Sequence, residues 1–253
     1  MNQIRYSVRD RSGSLESRKM TNKPLLGVLL IASTLALSAC NSQQPSSGSN
    51  AGPQGAGQTE TTTSRDAALL SAAEPFEALT EQAATASADK LGTLITDAKS
   101  AAAGVGPSLD ASHSSSLKDT LSAIDLANSK DDRTAIALAA VEGYRTLIES
   151  TSGTGAIPAA VSLLDYAGFR YQADLSATPV RWDDALQALD FADRQWAGLN
   201  TQIRDTNLRD DFTRALSAMR SAAAAKDAAR ARKAATGELD LVDRLEQFFT
   251  AKP

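Results

Sequence analysis

The chain has 253 residues, of which 26 are basic and 30 acidic, so its formal net charge is −4 at neutral pH. With one cysteine, Cys40, and one histidine, His113, it lacks the ligands for a zinc site, a haem attachment motif or ferritin-type Glu-x-x-His pairs. The acidic balance and the lack of a dense Lys/Arg run argue against nucleic-acid binding, which requires clustered positive charge.

The N-terminal segment has the three-part layout of a secretion signal. Basic residues extend to Lys23, an apolar run follows from Leu25 to Ala39, and small residues lead to Cys40. The alternative is a membrane-spanning helix, but spanning requires about 20 apolar residues and this run is shorter. We therefore expect residues 1–39 to be a signal peptide, and Met20 is an alternative start that still includes every part of the signal.

The tetrapeptide Leu37-Ser38-Ala39-Cys40 resembles the lipobox of bacterial lipoproteins. The resemblance covers Met20 to Cys40 and implies cleavage before Cys40, acylation of its thiol with chains such as palmitate, and a lipid anchor at the mature N-terminus. The alternative is a periplasmic thiol that awaits a disulfide partner. Asn41 stands where inner-membrane lipoproteins of enteric bacteria commonly carry aspartate, which implies the periplasmic face of a Gram-negative outer membrane.

Residues 40–65 are rich in Ser, Gly, Gln, Thr and Pro and contain almost no large apolar side chain. Such a composition buries too little surface to offset the entropy of ordering, so we expect a lipidated N-terminus followed by a disordered tether. Random-coil scaling gives this tether a mean span of about 25 to 30 Å. Without the leader, 20 basic and 28 acidic residues remain, a net charge of −8.

Residues 66–253 predict an all-α periplasmic domain, a bundle of about seven helices, because helix-period apolar stripes recur and strand alternation is lacking. The clearest stripe steps by three and four residues, through Trp182, Ala185, Leu189, Ala192, Trp196, Leu199 and Ile203. Proline is tolerated in a first turn, and so a first helix is expected from Pro75 to just before Gly104. A glycine inside the stripe of a later helix, Gly168, predicts close approach of a neighbouring backbone.

Two segments resemble each other, Leu121 to Ile124 followed by Lys130-Asp131 and Leu216 to Met219 followed by Lys226-Asp227. The similarity predicts an internal repeat of two tandem three-helix units, joined by a linking helix over residues 156–175. Chance similarity between alanine-rich helices is the alternative.

Carboxylates provide the remaining candidate chemistry. Glu238 occupies an apolar stripe position, with Asp240 and Asp243 nearby in sequence, and a buried carboxylate must find a partner or take up a proton. Asp165 and Tyr166 neighbour the glycine stripe, so Asp165, Tyr166 and Glu238 form a candidate ligand or metal site. The alternative is that Glu238 is satisfied within the core by an arginine or a tyrosine hydroxyl.

These observations predict a non-enzymatic, lipid-anchored periplasmic module that binds an envelope protein or component. No nucleophile elbow, P-loop or dinucleotide fingerprint is present in the sequence, and we expect no catalytic residue and no cofactor beyond the lipid on Cys40. The rival hypothesis is a carrier that holds a divalent or ferric cation, or a small ligand, between the repeats.

Overall fold

Residues 56–251 are described by the computed structural model, and all regular structure in this range is helical. The eight α-helices are α1 (Ala56–Gln82), α2 (Ala88–Val105), α3 (Ala111–Ser129), α4 (Arg133–Glu149), α5 (Ala159–Ser176), α6 (Trp182–Leu199), α7 (Thr206–Ala224) and α8 (Ala228–Thr250). Short 3-10 helices, Gly106–Ser108 and Asn200–Gln202, precede α3 and α7. The predicted all-α bundle is confirmed, with eight α-helices in the described range where about seven were expected.

The start of α1 differs from the sequence prediction. The signal peptide, Cys40 and most of the predicted tether lie outside the described residues, but α1 begins at Ala56, ahead of the expected boundary at residue 66. Once a helix is nucleated, each further residue adds one hydrogen bond, and the Gln, Thr and Glu residues of this segment do not prevent that extension. Buried Leu69 and Phe76 on α1 supply the packing that stabilises it.

The expected helix from Pro75 to Gly104 is in fact parts of two helices. Pro75 lies inside α1, and a break after Gln82 separates α1 from α2. Ser87 caps α2 by accepting a hydrogen bond from the Lys90 backbone N–H, at 3.3 Å. Arg133 donates to the carbonyl oxygens of Ala83 and Ala86, which the helix end leaves without intrahelical partners. The break contains no Gly or Pro, so the sequence pattern does not indicate it.

The helices pack in two groups of four. In the first group α1 contacts α2 and α4, and α3 contacts α4; in the second, α5 contacts α6 and α8, and α7 contacts α6 and α8. Contacts of α5 with α4 and α1 join the groups. The helix expected to link two three-helix units is therefore α5, a packed member of the second group, because its buried face extends from Val161 to Leu175.

The two groups have matching turns. Asp131 and Lys226, 95 residues apart, both adopt positive φ, 53° and 51°, between the third and fourth helix of their group. Directly after each stands an aspartate, Asp132 or Asp227, whose side chain caps the fourth helix. The order of elements, including the 3-10 helix before the third α-helix, is the same in both groups.

The predicted α6 stripe faces the core. Trp196 is 6% exposed and stacks on Phe212 of α7, with ring centroids 4.5 Å apart, while its Nε1 donates to Thr213 at 3.1 Å. The largest fully buried side chains include Tyr171, whose hydroxyl donates to the Met219 carbonyl at 2.9 Å. Between residues 56 and 251, no helix has the length and apolarity needed to cross a membrane.

Candidate functional site

Two of the three predicted site residues lie at the contact between α5 and α8. Asp165 and Gly168 are one turn apart on α5, and Glu238 of α8 packs against Gly168. A Cβ atom at Gly168 would overlap the Glu238 carboxyl group and the Leu239 side chain. The close approach expected at Gly168 is therefore present, but side chains make it rather than a neighbouring backbone.

Glu238 is the most unusual side chain of this contact. It is 0% exposed, and both carboxyl oxygens lack a hydrogen-bond partner within the described part of the protein. Burial raises the pKa of Glu238 well above its ordinary value, and the nearby Asp165 raises it further. The sequence left open that an arginine or a tyrosine hydroxyl pairs with the Glu238 carboxyl group, but no such hydrogen bond is observed among residues 56–251. Burial without a partner therefore favours the protonated form of Glu238.

Asp165 lies among further carboxyl groups from two other helices. Its pKa is raised well above the ordinary value, first by burial and then by Glu77 and Glu246, with smaller effects of Asp243 and Glu81. We call Asp165, Glu238 and these four residues the acidic cluster. Proton uptake, or an approaching cation, would relieve the repulsion within it.

Tyr144 of α4 borders the acidic cluster. It is 5% exposed, and burial raises the pKa of its hydroxyl well above the usual value, with Asp165 and Glu77 acting in the same direction. A hydrogen bond with Ser162 opposes this shift. Tyr144 therefore remains a neutral hydroxyl that faces carboxyl groups.

A cavity of about 320 Å³, here called the acidic cleft, opens between α1, α4, α5 and α8. Four of its lining residues are acidic and none is basic: Asp66, Glu74, Glu77 and Glu246. Its apolar lining includes Leu70, which is 44% exposed. Asp66 accepts hydrogen bonds from the Ser152 backbone N–H at 2.9 and 3.0 Å, and so ties α1 to the loop after α4.

Tyr166, the third predicted site residue, does not join the acidic cluster. Its hydroxyl donates to Glu142 of α4 at 3.0 Å, and its ring meets Phe191 of α6 edge-on, with centroids 5.2 Å apart. Burial and the adjacent Glu142 raise the pKa of Tyr166 to about 12. It lines a separate groove between α4, α5 and α6, together with Arg145, Arg170, Phe191 and Arg194. We call this second cavity the arginine groove.

Sequence reasoning missed Glu77, Glu81 and Glu246. Glu77 and Glu81 are four residues apart on α1, and Asp243 and Glu246 are three apart on α8, so each pair shares one helix face. That spacing was the available signal, but acidic pairs on amphipathic helices are usually solvated. Asp240, which the sequence placed near Glu238, is exposed.

The acidic residues of the described range do not form a ready-made cation site. Among residues 56–251, no three Asp, Glu, His or Cys side chains are placed so that they could hold one metal ion together. The histidine His113 lies in the first turn of α3, with Nδ1 2.6 Å from Asp110, the residue that caps the helix. A cation at the acidic cluster would therefore need rearranged carboxylates or water ligands.

Comparison with known proteins finds no matching family model, no matching curated protein and no matching solved structure.

Proposed function

We propose that the chain is a lipid-anchored, non-enzymatic binding module of the bacterial cell envelope, located in the periplasm at the outer membrane. Its support is the lipobox-like sequence that ends in Cys40, the polar segment that follows, and a helical body whose cavities include the acidic cleft and the arginine groove. In this proposal the lipid holds the protein at the membrane while the helical body binds an envelope partner.

The observation that carries the binding role is the composition of the acidic cleft. Its four acidic side chains lie beside apolar groups of Leu70, Ile148 and Ile157, and no basic side chain lines it. Complementary charge steers association and selects the partner. The partner we propose is a Lys- or Arg-bearing segment of an envelope protein, whose apolar residues contact Leu70 while its cations approach the acidic rim.

A defined peptide tests the acidic cleft. Full-length protein in detergent is titrated with a fluorescent peptide of alternating Lys and Leu residues, and with a matched Glu and Leu peptide. We expect the Lys peptide to bind more tightly, and the double variant Glu74→Gln/Glu77→Gln to weaken it by threefold or more at low salt. The control is Asp240→Asn on α8, outside the cleft. Equal affinity for both peptides, or equal loss in the control, contradicts the cleft as binding site.

The anchor has its own test. Mass spectrometry of the protein from its native membrane is expected to show a chain that begins at an acylated Cys40, and Cys40→Ser is expected to abolish acylation and membrane association. An intact leader and an unmodified thiol would contradict the anchor without affecting the proposal for the acidic cleft.

A second candidate function is the carrier of a divalent or ferric cation, or of a small ligand. The observation in its favour is Glu238, whose carboxyl oxygens have no partner in the described range while Asp165 lies near. Calorimetry with Ca²⁺, Mn²⁺ and Fe³⁺ on the full chain is the test. Heat that disappears in Glu238→Gln supports the carrier, and absence of heat with all three ions opposes it.

We further propose that the two groups of four helices are an internal repeat. Its support is the shared order of elements and the two positive-φ turns 95 residues apart. The repeat unit is then four helices long, rather than the three expected from sequence.

A further inference from the structure

The arginine groove has the size of a ligand pocket. Its volume is about 390 Å³, within the range of roughly 300 to 1,000 Å³ that is usual for small-molecule sites. It shares no lining residue with the acidic cleft. Its binding properties are therefore independent of the function proposed above.

Two guanidinium groups contact one aromatic ring in the arginine groove. The guanidinium carbon of Arg145 lies 5.0 Å from the centroid of Phe191, and that of Arg194 lies 5.7 Å from the same centroid. Cation–π contacts use the face of a guanidinium, whereas its five N–H donors point outward in its plane. Phe191 therefore holds both guanidinium groups beside the same face of the groove.

The carboxylates of the arginine groove are already paired with arginines: Glu142 with Arg170, Asp184 with Arg181, and Asp190 with Arg220. Arg181 and Arg220 do not line the groove, so part of the negative charge of the lining is neutralised by residues outside it. Arg194 contacts no carboxylate in the described part of the chain. Arg145 donates its Nε to Glu149 at 2.8 Å and interacts with the Tyr166 hydroxyl, which leaves its other N–H groups for further contacts. Donors on both arginines remain available to a ligand.

We propose that the arginine groove binds a small oxyanion-bearing ligand, whose carboxylate or phosphate group accepts hydrogen bonds from Arg194 and Arg145. The planar fork of a guanidinium matches either group with two parallel N–H···O bonds. The rings of Tyr166 and Phe191 provide the apolar wall against which the body of the ligand packs. The lining of the arginine groove carries three arginines beside its three carboxylates, whereas no basic residue lines the acidic cleft.

Ligand-observed NMR of the full-length protein in detergent tests this site, with benzoate as the carboxylate probe and inorganic phosphate as the phosphate probe. We expect at least one probe to bind at low ionic strength, and Arg194→Gln to weaken it by about tenfold, as loss of a charge-assisted hydrogen bond does. Arg194→Lys keeps the charge without the fork and should weaken binding less. Arg230→Gln, an exposed arginine of α8, is the matched control and should leave binding unchanged.

The outcomes separate the two ligand chemistries. Binding of benzoate alone supports a carboxylate ligand, and binding of phosphate alone supports a phosphate ligand. No binding of either probe at millimolar concentration overturns the site, as does equal weakening by Arg194→Gln and Arg230→Gln. Phe191→Leu provides a second variant: it should weaken binding although every arginine is retained, because the guanidinium groups lose the ring that orients them.

Discussion

In each group of four helices, a side chain of one helix packs against a glycine of another. That side chain is an aromatic ring in the first group and a carboxyl group in the second. In the first group, the ring of Phe76 on α1 fills the space that Gly143 leaves open on α4. In the second group, the carboxyl of Glu238 on α8 fills the space at Gly168 on α5. Gly143 and Glu238 are 95 residues apart, the same separation as the two positive-φ turns. Matching helix positions thus bring close contact through an aromatic ring in one group and an ionisable group in the other.

Gly143 and Gly168, here called the glycine notches, each determine where a second helix approaches closely. They do not determine which side chain occupies the space that the missing Cβ atom leaves open. An apolar filler stabilises at every pH, since its burial does not depend on protonation. A carboxyl filler stabilises only while it holds its proton, because a charged group without a partner is costly in the core. The contact at Gly168 should therefore respond to pH in a way that the contact at Gly143 does not.

The largest expected effect is the loss of the aromatic filler. Phe76→Ala should lower the free energy of unfolding by about 3 to 5 kcal/mol, because Phe76 is fully buried and its removal leaves a cavity over Gly143. Leu70→Ala, on the same helix at a 44% exposed position, should cost much less. Urea denaturation measures both variants. Equal losses would show that the ring at Gly143 does not hold α1 against α4.

The next effect is pH dependence that Glu238 confers on the second group. The raised pKa means that the folded state binds a proton that the unfolded state releases above its ordinary pKa of 4.5. Stability from this residue is therefore full below pH 4.5 and falls as pH rises toward the raised pKa, by about 1.4 kcal/mol per pH unit for one proton.

Glu238→Gln replaces the carboxyl group by an amide that does not titrate, so the proton bound by Glu238 no longer contributes to the pH dependence of stability. We expect the decline in stability as the pH rises above 4.5 to become shallower, by at most about one proton, and the variant to exceed the wild type at the upper end of the titration. Asp165 retains its own raised pKa among Glu77, Glu81, Asp243 and Glu246, so some decline persists. Asp240→Asn, exposed on the same helix, is the control and should keep the wild-type slope. Parallel slopes for Glu238→Gln and wild type would contradict a buried, protonated carboxyl.

A smaller effect separates the two glycine notches. Gly143→Ala places a methyl group against the rigid ring of Phe76, and overpacking of this kind costs about 1 to 3 kcal/mol, partly offset by about 1 kcal/mol of helix propensity. Gly168→Ala meets the ends of two flexible side chains and should cost less. Gly92→Ala on α2 meets nothing within 4 Å and should stabilise. Thermal melts of the three variants give the order, and a reversed order at the two notches would contradict the assignment of rigid and flexible fillers.

The smallest effect tests the equivalence of the groups directly. Asp131→Gly and Lys226→Gly replace residues held at positive φ by the residue that tolerates it, so each should raise stability by about 0.5 to 1 kcal/mol. Chemical denaturation of both variants should give similar gains. A gain at one turn and a loss at the other would show that the two turns are strained to different extents.

Local sequence signals predicted much of this structure. The stripe that contains Trp196 faces the core as expected, Glu238 is buried as its stripe position indicated, and Gly168 marks a close contact. Each of these depends only on the period of one helix. The separation of Tyr166 from Asp165 also follows from that period, because adjacent helical residues point in directions about 100° apart.

The remaining features depend on contacts between helices, which a single sequence does not specify. The break between α1 and α2 is stabilised by Arg133 from α4, far along the chain, so no Gly or Pro signal was needed there. Glu77 joins the acidic cluster because α1 packs beside α4 and α5. The arginine groove forms between side chains of α4, α5 and α6. In each case the chemistry arises from side chains that come together only after folding.

If the proposed lipid anchor holds the chain, the attachments of α1 would determine how the helical body carries mechanical load. Tension transmitted along the N-terminal segment would reach this helix first, where Arg65 donates to the Ser108 carbonyl and Asp66 accepts from Ser152. Because Asp66 also lines the acidic cleft, a pull strong enough to part it from Ser152 would change the lining of that cavity. Force applied at one end of the chain and occupancy of that cavity would then be coupled through a single carboxylate.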